Sequence, residues 1–221
     1  LMLAGFQVLA EDAKVSADKD APTPAPEDSG QPPQTEEPGK AEYPDQVTAD
    51  IFVSGKEGYN TYRVPAITVT KSGSLLAFCE GRKNGRSDAG DIDIVMKRSS
   101  DGGKTWSDLQ VVFDDKENTA GNPCVVIDKY TGRVWLLSTW NNGHDTEAEI
   151  TTSSGKDTRR VFVLYSDDEG QTWSEPREIT ESVKKPEWTW YATGPGTGIQ
   201  LRLGENKGRL VIPCDHKLIC N

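Results

Sequence analysis

The chain has 221 residues, enough to bury a substantial core as one domain or two small ones. Its formal net charge is −10, which argues against a nucleic-acid partner. Four cysteines form no CxxC pair and His144 and His216 are the only histidines, so neither a zinc site nor another metal or cofactor is expected.

The first ten residues, "LMLAGFQVLA", are apolar and uncharged, and too short to span a bilayer. They read as the end of a secretory signal and imply export to the periplasm, the cell surface or the medium. Phe6 stands where a lipoprotein signal would need cysteine, so neither a lipid anchor nor an integral membrane span is expected. Residues 11–46 follow as an acidic, proline-rich linker. Seven of the thirteen prolines fall within residues 1–50, as do eleven Asp/Glu and three Lys, so this region carries −8 of the charge. It has too little apolar surface to offset the entropy of ordering, and disorder is the expectation.

From about residue 47 the character changes. Short runs of Val, Ile, Leu and Phe alternate with Gly, Asn, Asp and Lys, and no helical period persists. Three segments align: "AITVTKSGSLLAFCEGR", "CVVIDKYTGRVWLLSTWNN" and "GIQLRLGENKGRLVIPCDH". Each predicts a strand, a glycine-containing turn and a second strand. The first two continue into a third strand, "IDIVMKRSSD" or "RRVFVLYSDD", and then a short fourth, "SDLQVVF" or "SEPREIT". A four-strand unit, written twice and then half begun, is the pattern of an all-β propeller over residues 47–221. Cys79 and Cys124 fall inside the apolar runs and are expected as buried thiols.

Between the third and fourth strands of each complete unit comes a repeated turn, "SSDGGKTW" and then "YSDDEGQTW". The repeat sets Ser99, Asp101, Gly103, Thr105 and Trp106 against Ser166, Asp168, Gly170, Thr172 and Trp173. The aspartate can accept hydrogen bonds from N–H groups across the turn, the glycine supplies φ > 0, and the tryptophan can cover the hairpin with its N–H bonded. These residues are expected to fold the corner. Identical chemistry is not needed at two places one unit apart. Asp88, Asp91 and Asp93 crowd together, but they fit no EF-hand register, and no calcium site is predicted.

The repeated turn is the Asp box. With "YRVP" at Tyr62–Pro65, "LLAFCEGRKNGRSDAGDIDIV", "GNPCVV" and "YATGPGTGIQL" in that order, the chain resembles the bacterial exo-α-sialidases (neuraminidases) of the retaining glycoside hydrolase type. The resemblance runs from about Phe52 to the last residue, with Val64 where the family has isoleucine. It implies a six-bladed β-propeller of which this chain holds about two and a half blades, and sialylated glycans as partners. Arg63 then corresponds to the first arginine of the triad that binds the sialic acid carboxylate, a role suited to a planar, permanently charged fork. Asp88 corresponds to the acid/base aspartate and Arg82 to a residue lining the pocket against the ring hydroxyls. Glu147, in a long loop after a second strand, and Asp215, in "IPCDH", are weaker substrate-binding candidates, with His216 beside the latter. Thr197 stands where many relatives have histidine. The family's nucleophilic tyrosine, its glutamate partner and two further arginines match nothing before Asn221, so the chain is expected to be the N-terminal part of such an enzyme. A non-catalytic Asp-box propeller that binds glycans or proteins is the alternative.

Overall fold

The computed structural model describes residues 49–194 and 196–218. The expected signal segment 1–10 and linker 11–46 lie outside the described residues.

Two four-stranded antiparallel sheets follow each other along the chain. The first holds β1 (Thr61–Val69), β2 (Leu75–Arg82), β3 (Ile92–Ser99) and β4 (Gln110–Phe113), each paired with the next. The second repeats the order with β5 (Thr119–Ile127), β6 (Val134–Asn141), β7 (Arg160–Ser166) and β8 (Arg177–Glu178). A single parallel bridge, Ile92 to Thr119, joins them. The third unit opens earlier than the aligned segments predict. Its hairpin begins at β9 (Trp188–Thr193) and pairs with β12 (Cys214–Leu218), while β10 (Ile199–Gln200) pairs with β11 (Leu210–Val211). The break between β9 and β10 made only its second half legible.

Strand β2 reads "LLAFCEGR" without alternation because both its faces are covered. Leu76, Phe78, Ile94 and Met96 of the first sheet pack on Ala120, Val125, Leu136 and Leu164 of the second, all at most 1 % exposed, and this is the main core. Cys79 and Val95 face the other way, against Tyr59, Phe52 and Tyr62. Cys79 and Cys124 are buried thiols, and burial raises both pKa values, that of Cys124 to about 12.

Two short helices depart from the purely strand-and-turn expectation. Helix α1 (Glu147–Thr151) starts from a capping box, with the Thr146 hydroxyl accepting from Glu149 N–H and the Glu149 carboxylate accepting from Thr146 N–H. Helix α2 (Thr180–Val183) is a single turn. Both are too short for a periodic pattern to show. Among the described residues no helix is long and apolar enough to cross a membrane.

The two Asp boxes fold as the repeat requires. Asp101 accepts from Thr105 N–H at 3.0 Å, the Thr105 hydroxyl at 2.6 Å and the Ser99 hydroxyl at 2.8 Å. Asp168 repeats this with Thr172 N–H at 2.9 Å and the hydroxyls of Thr172 and Ser166 at 2.5 and 2.8 Å. Gly103 and Gly170 have φ of +89° and +84° and each donates its N–H to the serine hydroxyl. The tryptophans differ. Trp106 Nε1 donates to Gly103 O at 3.2 Å, whereas the buried Trp173 Nε1 has no partner among the described residues. Trp173 instead packs edge-on against Phe78 of the preceding sheet, with centroids 5.7 Å apart. The second corner therefore also clamps two sheets together, and Glu169 adds to the clamp by accepting from Ser72 N–H at 3.0 Å.

Candidate active site

Arg63 lies in β1 beside a bulge. Val64 and Pro65 oppose the single residue Cys79, since the register passes from Arg63↔Glu80 to Ala66↔Phe78. Val64 sits at φ +54°, an outlier for a β-branched residue. The same device recurs in β5, where Asn122 at φ +53° and Pro123 lie between Gly121↔Thr139 and Cys124↔Leu137. In the third unit Gly194, at φ +81°, precedes Pro195 at the end of β9. Proline has no N–H to lose from the ladder, so it fits the unpaired position. The first two units thus kink their first strands at one place, next to Arg63 and Gly121. The signal was present in the sequence as a repeated x-Pro, which the strand alignment began just after.

The loop between β2 and β3 brings Asp88 to Arg63. Asp88 Oδ1 lies 3.0 Å from Arg63 Nη1 and 2.7 Å from Arg82 Nη2. Asp88 and Arg63 are open to solvent, with side chains 66 % and 50 % exposed, while that of Arg82 is 3 % exposed. Arg82 holds the loop in place by donating to Arg86 O at 2.7 Å and Ser87 O at 2.8 Å. On its other side it meets the buried Glu80, donating at 3.0 Å from Nε and 2.5 Å from Nη2. The far end of the loop is pinned by Thr119, whose hydroxyl donates to Gly90 O at 2.9 Å. Asp91 and Asp93 do not join Asp88. Lys83 takes both, at 2.8 and 3.1 Å, and Tyr59 donates to Asp93 at 2.6 Å. Burial still raises the Asp93 pKa against those two bonds. The acidic crowding noticed in the sequence is neutralised by the protein's own cations. No described group of His, Cys, Asp and Glu could hold a metal ion.

Sequence reasoning missed Glu80, Asn122 and Arg159. Glu80 was readable as a lone carboxylate in an apolar run, which burial obliges to find a partner. It accepts from Asn122 N–H at 2.9 Å. Gly121 makes room for it, because a Cβ there would lie 2.7 Å from Glu80 Oε1. Asn122 accepts the Thr139 hydroxyl at 2.9 Å and Arg159 Nη2 on its side-chain oxygen, and the Thr193 hydroxyl at 2.6 Å on its carbonyl. Arg159 is buried, donates to Asn141 Oδ1 and to Tyr191 O, and lies 4.2 Å over the Trp190 ring. Burial lowers its pKa to about 10, while Glu80, Glu147, Asp215 and Asp88 act in the opposite direction.

Glu147 is the first residue of α1 rather than part of an irregular loop, and it pairs with Lys217 of β12. Asp215 is exposed on β12, and His216 stacks on Trp188 at 3.8 Å. Arg63, Arg82 and Asp88 are therefore in direct contact, whereas Glu147 pairs instead with Lys217 and Asp215 is exposed on β12. Thr197 makes a parallel bridge to Val125.

An all-β protein with Asp-box corners and an arginine-flanked aspartate at the kinked first strands is the class these observations define. Residues 73–220 match the BNR repeat-like domain family. The chain is 34 % identical over 187 residues to an exo-alpha-sialidase of Aspergillus fumigatus, a match covering 77 % of this chain and 43 % of that protein. It is 32 % identical over 173 residues to a sialidase of Bacteroides fragilis, covering 72 % and 31 %. The solved structure of the Hadza microbial sialidase Hz136 superimposes with a TM-score of 0.66 at 33 % identity, covering 74 % of this chain and 34 % of that one. The chain belongs to the sialidase family with BNR repeat-like domains, and spans less than half the length of these relatives.

Proposed function

We propose that the protein is an exo-α-sialidase that hydrolyses terminal sialic acid linkages of glycoproteins, glycolipids and oligosaccharides with retention of configuration. The observation that carries the reading is the contact of Asp88 with Arg63 and Arg82 beside the first kinked strand. Arg63 offers its fork to the sugar carboxylate, and that carboxylate would replace Asp88 as its partner. Asp88 in its acid form gives its proton to the glycosidic oxygen as the bond to the anomeric carbon breaks. A tyrosine oxygen bonds to that carbon, losing its proton to a glutamate. A neutral phenol avoids the repulsion an anionic nucleophile would meet from the substrate carboxylate. Water then displaces the tyrosine, whose oxygen takes its proton back from the glutamate, while Asp88 takes the water proton, which restores all three groups. The tyrosine, its glutamate and two further arginines belong to later blades of a six-bladed ring, of which these residues form about two and a half. Export, with residues 1–10 as signal and 11–46 as linker, is part of the same reading.

The test follows sialyl-lactose hydrolysis by the full-length gene product with proton NMR. α-Sialic acid appearing first, and its loss in Arg63→Ala, is the expected result. β-Sialic acid as first product would exclude retention, and binding without turnover would favour a non-catalytic glycan binder.

A further inference from the structure

Asn122 is a non-glycine residue in the left-handed region, held there by bonds to three different strands. Its N–H goes to Glu80 of β2, its carbonyl takes the Thr193 hydroxyl of β9, and its side-chain oxygen takes Thr139 of β6. A strained backbone persists only where its surroundings over-determine it, and such positions cluster at functional sites. Arg159 supplies the remaining bond to that side-chain oxygen. A guanidinium can only donate, so this contact fixes which end of the Asn122 amide faces inward.

Arg159 is 3 % exposed, and among the described residues no carboxylate lies within ion-pair distance of it. A guanidinium buried without a carboxylate partner is costly and needs a reason. Its bonds trace one. From Arg159 a continuous series of contacts runs through Asn122 to Glu80, from Glu80 to Arg82, and from Arg82 to Arg86 O, Ser87 O and Asp88. We infer that Arg159 is a positioning residue that, from just before the second unit's third strand, sets the placement of the Asp88 loop through Asn122, Glu80 and Arg82. The inference rests on the proposed role of Asp88 as proton donor. Each link is a direct hydrogen bond or ion pair, and Gly121 is the clearance that lets Glu80 occupy its place in the series.

The test compares Arg159→Lys and Arg159→Met with the wild-type full-length gene product. Lysine keeps the charge but has no fork to hold Asn122 and Asn141 together. Misplacing a reacting group by about 1 Å costs roughly 100-fold. Arg159→Lys is therefore expected to lower kcat/KM on sialyl-lactose about 100-fold, but less than about 10-fold on an activated aryl sialoside, which needs little protonation. A general loss of structure would lower both alike. The combination of Arg159→Lys with Glu80→Gln should be little worse than either alone, since residues acting as a unit are non-additive. Equal losses on the two substrates, or losses that multiply, would overturn the inference. Amide exchange at Asn122 N–H is a readout that needs no activity, and it should speed up at least about tenfold in Arg159→Met as the bond to Glu80 loosens. Unchanged exchange would overturn the inference even in an active enzyme. Faster exchange in a protein inert towards both sialosides would support the positioning role while sinking the proposed reaction.

Discussion

Asp88 and Asp168 are both hydrogen-bonded or ion-paired aspartates near a turn, yet their partners separate their roles. Asp168 is closed in by Ser166 and Thr172, while Asp88, open to solvent, meets two guanidinium groups. Asp88→Ala in the full-length gene product should lose turnover on sialyl-lactose by about 100-fold or more and much less on an activated aryl sialoside, within the range of general acid catalysis. Equal losses on both would remove Asp88 as the donor. Asp168→Ala should instead lower stability by about 1–2 kcal/mol, as a hydrogen-bonded charge is removed from its donors, with kcat unchanged. A denaturant titration beside a rate assay separates the two outcomes. Burial works against ionisation of Asp168, but the Thr172 and Ser166 bonds outweigh it and hold its pKa below the ordinary 3.8. The unfolded chain therefore binds the proton first as pH falls. The stabilisation is complete above the ordinary value and drains away through the lowered one. The stability gap between the wild type and Asp168→Asn should be widest above the ordinary carboxylate value and narrow as the pH falls below it. A gap that widens in acid would contradict this assignment.

At the scale of the element, the kinked first strand is the unit of site construction. The bulge of β1 accompanies Arg63, and that of β5 places Asn122 against Glu80. The turn glycines and apolar runs that predict the strands say little about this, because a bulge is defined by what it faces across the ladder. Gly121→Ala tests the arrangement. Its methyl would sit 2.7 Å from Glu80 Oε1, which accepts from Asn122 N–H while Oε2 accepts from Arg82, so the carboxylate cannot swing aside freely. The expected result is a loss of about 1–3 kcal/mol, the usual cost of overpacking, with kcat/KM falling as Arg82 shifts. A variant with wild-type melting and rate would show that Glu80 is loosely held. Helix α1 makes the same point about legibility. Its capping box, Thr146 with Glu149, is written in "DTEAEI", but five residues are too few for a hydrophobic stripe, so Glu147 read as loop.

For the whole molecule, the described strands bury one face well and leave another bare. Ile67 and Val69 on β1 are 51 % and 56 % exposed, and Ile199 on β10 is 59 % exposed. Apolar rows on open sheet edges favour association. The 221 residues on their own are expected to self-associate, to turn over no sialoside, and to bind free sialic acid no tighter than about millimolar, the strength of a few solvated contacts. Light scattering and a fluorogenic sialoside assay check this, and turnover abolished by Arg63→Ala would overturn the expectation. The sequence by itself determined the repeated four-strand unit, the Asp-box corners and the candidates Arg63, Arg82 and Asp88. Strand alternation, turn glycines and repeated motifs are local, and local chemistry is written in neighbouring residues. Only the tertiary structure decided that Trp173 clamps the preceding sheet, that Lys83 takes Asp91 and Asp93, and that Glu80, Asn122 and Arg159 stand behind the Asp88 loop. Those partners lie tens of residues apart, and a buried charge shows its role only once its neighbours in space are known.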